Sequence, residues 1–138
     1  MANETTAALE WTGGLQFVAR SGSGHEVTLD SPSRPEHRGA SPMELFLAAI
    51  AGCTAMDVVA ILEKMREPLA TLAVSIVGER AESHPKYFTA IEIVYKASGT
   101  GLNREKLERA VELSHERYCS AVASLRPDCR VTTRIELS

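Results

Sequence analysis

Apolar and polar positions change rhythm several times along this chain. Leu9-Glu10-Trp11 and Leu15 to Ala19 alternate on either side of Gly13-Gly14, and His25 to Leu29 alternates again after Gly22-Ser23-Gly24. A period of two interrupted by glycine turns predicts three short strands, the first two joined as a hairpin. A polar loop over residues 31–40 follows, with Pro32 and Pro35 inside it. From Leu45 to Leu62 the only ionised side chain is Asp57. Ser41-Pro42-Met43-Glu44 opens that run as a capping box, which predicts a helix from Ser41 to about Arg66, stopped by Pro68. Two longer alternating segments come next, residues 71–80 and 87–96, with His84-Pro85 in the turn between them. After Gly99 to Gly101, Asn103 is placed to cap a helix whose stripe is Leu107, Ala110, Val111 and Leu113. A short helix over residues 120–125 and a last strand over residues 130–137 complete the pattern. The expected fold is α+β: antiparallel hairpins around a long buried central helix, in a single domain spanning residues 1–138.

The central run changes that picture in one respect. It is apolar all round, so neighbours are expected on every side, and a chain of 138 residues can hardly supply them alone. A second subunit is therefore expected. The run has the length of a bilayer span, but a carboxylate at its centre would cost several kcal/mol there, so a core helix of a soluble protein is the better reading. With 44% apolar residues the chain can bury a core of its own. The net charge of −3 comes from scattered residues of both signs, which argues against nucleic acid and anionic membranes as partners. Residues 1–6 have neither the basic start nor the apolar core of a signal peptide, and a cytoplasmic protein with reduced thiols is expected.

The candidate chemistry lies in the cysteines. Cys53, Cys119 and Cys129 form no Cys-x-x-Cys pair, a poor basis for a disulfide framework or a zinc site. Cys53 is mid-helix with Asp57 one turn on, so a reactive thiolate there needs a cation from elsewhere; Arg20, Arg34 and Arg38 are the candidates. Cys119 falls near a helix break, where exposed backbone N–H groups would favour a thiolate. Both cysteines can equally be small core residues, and spacing alone favours that for Cys53. His115, one turn before Cys119, is a base or ligand candidate whose simpler reading is a surface position. Glu44 is better explained by the capping box, and Asp57 by structural hydrogen bonding or a subunit interface. Phe46 and Tyr118 either line an apolar substrate pocket or belong to the core. Cys129 reads as incidental.

Ser41-Pro42-Met43-Glu44-Leu45 leading into Ala49-Ile50-Ala51-Gly52-Cys53, with Asp57-Val58-Val59 and Ile61-Leu62, resembles the central-helix signature of the OsmC/Ohr family. These are the osmotically inducible protein C and organic hydroperoxide resistance proteins. Arg117-Tyr118-Cys119-Ser120 resembles the family's second cysteine motif, and the element order agrees from about Leu9 to the end. The resemblance implies an intertwined homodimer with sites at the subunit interface, and defence against oxidative stress by reduction of organic hydroperoxides. In that scheme Cys53 attacks the O–O bond and becomes a sulfenic acid, Cys119 resolves it to a disulfide, and Arg20 activates Cys53. Met43, Phe46 and Tyr118 would face the substrate. The reductant would be an external dithiol, such as a dihydrolipoyl protein, with no metal, flavin or nicotinamide cofactor needed. One position departs from the family pattern: Met43 stands where those peroxidases carry the glutamate that holds their arginine, and Glu44 comes one residue later, about 100° further round the helix. Two rivals keep other chemistry open. One is a non-enzymatic dimer of the same fold binding an apolar or electrophilic ligand; the other is a metal site built from Cys119, His115 and a further ligand.

Overall fold

The glycine-bounded alternations become strands. In the computed structural model, which describes residues 3–138, β1 (Ala7–Gly13), β2 (Gln16–Ser21) and β3 (Glu26–Leu29) form one antiparallel sheet in that order. Leu9 pairs with Ala19, and Val18 with Thr28. The first hairpin turns at Gly13 and Gly14, whose φ of +119° and +55° lie where a side chain would strain the backbone. The chain divides into two compact units, one ending at Phe46 and one running from Leu47 to Ser138. The sheet belongs to the first.

Helix α1 (Pro42–Lys64) starts as its capping box requires. The Ser41 N–H donates to Glu44 Oε1 at 2.9 Å, and the Glu44 N–H donates to Ser41 Oγ at 3.1 Å. It ends through Arg66 in the left-handed region, φ 58°, with the Glu67 N–H donating back to the Leu62 carbonyl at 2.9 Å. The chain then enters β4 (Thr71–Arg80) past Gly99, where a Cβ would lie 1.8 Å from the Pro68 carbonyl oxygen. No other residue fits that approach.

β4 pairs antiparallel with β5 (Phe88–Ser98), as expected. The last strand, β6 (Arg130–Leu137), does not complete an antiparallel sheet: it runs parallel to β5, with Tyr95 opposite Ile135. Parallel neighbours need a crossover of a dozen or more residues. Here α2 (Arg104–Leu113), one wide turn over residues 114–118 and the short α3 (Ser120–Ala123) provide it. Asn103 caps α2 through its Oδ1, which accepts the Lys106 N–H at 3.0 Å.

The core of the second unit is built from Ile50, Val58 and Leu62 of α1, Ile91, Ile93 and Tyr95 of β5, and Leu107 and Ala110 of α2. Within this chain α1 is covered along a single stripe at a spacing of four: Ile50, Thr54, Val58 and Leu62 are fully buried. Met56 is 75% exposed and Ala60 is exposed too. The other apolar positions of α1 are left at least partly exposed by the described residues. By length and hydropathy α1 could cross a membrane. Its central polar residues, however, are tied by hydrogen bonds to β5 and to the turn after α2, as in a helix packed inside a folded domain.

Candidate active site

A helix advances about 100° per residue, so Cys53 and Asp57, four apart, share one face of α1 beside the buried stripe. Cys119 reaches the same place by a different route. Its N–H donates to the Ser114 carbonyl five residues back, at 2.7 Å, which widens the end of α2 into a π-type turn. Cys119 then takes an extended conformation and caps α3, its Sγ accepting the Val122 N–H at 3.4 Å. The Cys53 and Cys119 sulfurs and a carboxylate oxygen of Asp57 all lie within 4.8 Å of one another. Both thiols are free; Cys53 is half-buried and Cys119 buried.

Burial pushes the Cys119 thiol up from 9.0 to about 11, and its hydrogen bond to Cys53 adds to the rise. The backbone N–H groups of Val122 and Ala121 in α3 work the other way and are outweighed, so the thiolate-favouring terminus expected for Cys119 is overridden by desolvation. Of the two, Cys53 is the more accessible residue.

Behind the thiols runs a chain of polar side chains inside the core. Ser114 Oγ donates to Asp57 Oδ2 at 2.8 Å, and Thr54 Oγ1 contacts Ser114 Oγ at 2.9 Å. Tyr95 Oη contacts Thr54 Oγ1 at 2.8 Å and His115 Nε2 at 2.8 Å. Thr54, Tyr95 and Ser114 are fully buried, and a buried polar group without a partner costs about 1–3 kcal/mol. Among the described residues no buried side-chain polar atom lacks a partner. Desolvation raises the Tyr95 hydroxyl to about 12 and lowers the His115 imidazole, against the opposing pull of Asp57. His115 is therefore not the surface residue its helical position suggested: it is half-buried, edge-on to the Tyr95 ring.

The remaining candidates fall as follows. Arg20 Nη2 pairs with Glu26 Oε2 at 3.1 Å, both side chains exposed. Glu44 is held in the capping box, as expected. Met43 is the second residue of α1 and half-buried; Phe46 and Tyr118 are 42% and 55% exposed, so neither is an ordinary core residue. Cys129 is part-buried at a turn, its thiol raised mainly by that burial. Thr54, Tyr95 and Ser114 were not singled out in the sequence. The available signals were Thr54 beside Cys53 in an otherwise apolar run, and Ser114 directly after an apolar stripe. The donor set a soft divalent ion could use is Cys53, Asp57 and Cys119 rather than one including His115, whose Nε2 is committed to Tyr95.

Fold and site together describe an α+β protein with a dithiol at the flank of its central helix. Residues 35–134 match the OsmC-like protein family, and the chain belongs to that family. It is 37% identical over 131 residues to Protein YhfA of Escherichia coli K12, covering 95% of this chain and 96% of that one. A crystal structure of a hypothetical protein from Aquifex aeolicus is similar at 33% identity, with a TM-score of 0.88 over 99% of this chain and 98% of the other. An organic hydroperoxide resistance protein OsmC from Legionella pneumophila shares the fold at 21% identity, with a TM-score of 0.69 over 99% and 98% of the two chains.

Proposed function

We propose that this protein is a thiol-dependent peroxidase that reduces organic hydroperoxides in defence against oxidative stress. The observation that carries the reading is the meeting of two reduced cysteines from distant parts of the sequence within 4.8 Å, beside one carboxylate. The Cys53 thiolate attacks the peroxide O–O bond; the alkoxide leaves, takes a proton and becomes the alcohol, and Cys53 is left as a sulfenic acid. Cys119 then attacks the Cys53 sulfur, the S–OH bond breaks, water leaves and a disulfide forms. An external dithiol, for which a lipoyl protein is one chemical type, reduces it by exchange.

Arg20 is the cation proposed to favour the Cys53 thiolate. Its exposed pair with Glu26 is worth no more than about 1 kcal/mol, so releasing it for that task costs little. Met43, Phe46 and Tyr118 offer apolar surface for an organic peroxide. The working form in this reading is a homodimer in the cytoplasm; the dimer is supported by an open, mostly apolar hollow of about 460 Å³ lined by Ala55, Met56, Val59, Ala60 and Glu63 of α1 with Leu72 and Val74 of β4. The same hollow is what supports the rival reading, a non-enzymatic dimer that holds an apolar ligand.

Turnover separates the two. Reduced protein, Cys53→Ser and Cys119→Ser are each given cumene hydroperoxide with a dithiol donor. The peroxidase reading expects consumption that disappears in Cys53→Ser, and a trappable Cys53 sulfenic acid in Cys119→Ser. Consumption that never depends on Cys53, under any donor, contradicts it.

A further inference from the structure

Three side chains of the kind that soft metal ions bind meet at the flank of α1. The sulfurs of Cys53 and Cys119 and a carboxylate oxygen of Asp57 lie within 4.8 Å of one another. Cys53 and Asp57 are one turn apart on the same helix, and Cys119 arrives from the turn after α2. The fold, and not a local motif, assembles the set. A tetrahedral zinc ion bonds sulfur at about 2.3 Å and carboxylate oxygen at about 2.1 Å, which puts its sulfurs about 3.8 Å apart and sulfur about 3.6 Å from oxygen. The triangle is near the size that ion requires.

Two of the three atoms are also braced from behind, as metal ligands are. Ser114 Oγ donates to Asp57 Oδ2 at 2.8 Å, and the Val122 N–H donates to Cys119 Sγ at 3.4 Å. Ser114 serves both arms, because its carbonyl accepts the Cys119 N–H at 2.7 Å and fixes where that residue leaves the turn. Asp57 makes no ion pair among the described residues, so no lysine or arginine neutralises it. Cys53 and Asp57 both keep part of their surface exposed in this chain, and water can supply a fourth ligand. We propose that the reduced Cys53–Cys119 pair and Asp57 bind one zinc-class divalent ion per chain, with Ser114 positioning Asp57 and Cys119 for it. Each thiol gives up its proton to solvent as the ion binds. Calcium and magnesium, which take oxygen ligands, do not suit a set with two sulfurs. The site needs two adjacent reduced thiols and no peroxide, so it goes beyond the proposed peroxidase. It is exclusive with the disulfide: a cross-linked pair has no thiolate left to offer, and only the reduced chain holds the ion.

Cadmium reports such a site directly, because cadmium–thiolate bonds absorb in the ultraviolet where zinc is silent. The full chain, reduced and freed of small thiols, is titrated with cadmium chloride, and zinc affinity is read by competition with a chromophoric chelator. The wild type should develop the cadmium–sulfur band to an end point of one ion per chain, and excess zinc should displace it. Cys53→Ser and Cys119→Ser should each weaken zinc binding by about a hundredfold or more, and Asp57→Asn by about tenfold or more. Ser114→Ala should weaken it by about tenfold while the far-ultraviolet spectrum of the metal-free chain stays unchanged. Cys129→Ser should bind as wild type does, and chain cross-linked beforehand with diamide should bind neither ion. A wild type with no band in excess cadmium overturns the proposal. So does zinc affinity that survives Asp57→Asn or diamide intact, or that is lost in Cys129→Ser; a Ser114→Ala chain of wild-type affinity overturns the positioning role. Because no peroxide is used, a failure to bind metal leaves the peroxidase reading standing, and a failure of peroxide turnover leaves this one standing.

Discussion

The two faces of α1 have similar compositions and different fates. Ile50, Thr54, Val58 and Leu62 are fully buried, with Thr54 hydrogen-bonded to Tyr95 of β5, whereas Ala55, Met56, Val59 and Ala60 line an open hollow. Apolar content alone does not separate them; the difference is what the rest of the chain can reach. The covered face completes the fold and holds one polar residue, Thr54, with all its partners inside. The open face is left uncovered by the described residues of this chain. The thiol pair sits beside the covered stripe, so its geometry depends on packing within this chain.

That contrast can be broken from either side. The largest effect is expected from Ile50→Ala, where a fully buried side chain leaves a cavity: loss of about 2–5 kcal/mol in denaturant unfolding. Thr54→Val is nearly isosteric but leaves Tyr95, Ser114 and His115 a partner short, and should cost about 1–3 kcal/mol by the same measurement. Met56→Glu on the open face should change the unfolding of one subunit by less than about 0.5 kcal/mol. In sedimentation, however, it should shift a wild-type dimer to monomer; a wild type already monomeric would show that a second copy does not cover this face.

Two smaller effects follow from ionisation and backbone. Burial depresses the His115 pKa below its ordinary 6.5. The unfolded chain therefore binds the proton more readily, and stability present above about pH 6.5 is lost as pH falls below it. The melting temperature should drop over that range in wild type and flatten in His115→Gln. Arg66→Gly should stabilise by about 1 kcal/mol, because Arg66 holds a left-handed φ of 58° that glycine adopts without strain.

Much of the fold was legible in the residues. The glycine pairs set the hairpin, Ser41-Pro42-Met43-Glu44 set the start of α1, and Asn103 set the start of α2, because turns and caps depend on side chains close in sequence. The parallel pairing of β5 and β6 was not legible, since alternation is the same in either direction and only the crossover decides it. The motif context of Cys53 and Cys119 pointed to a pair, but no spacing rule could bring Asp57 to both. The buried polar chain was hidden for another reason. Thr54, Tyr95 and Ser114 are residue types ordinary in a core, and His115 becomes half-buried only because the turn after α2 widens and packs it against Tyr95. Arg20, conspicuous as a charge, proved to be engaged with Glu26 at the surface.

The central claim is that Cys53 and Cys119 form one redox unit. Reduced protein treated with one equivalent of cumene hydroperoxide, quenched with an alkylating agent and mapped by mass spectrometry, tests it directly. The account predicts a chain lighter by two hydrogens, with a single Cys53–Cys119 cross-linked peptide and Cys129 alkylated. Cys53 and Cys119 both recovered alkylated, or a cross-link that runs to Cys129, would contradict it.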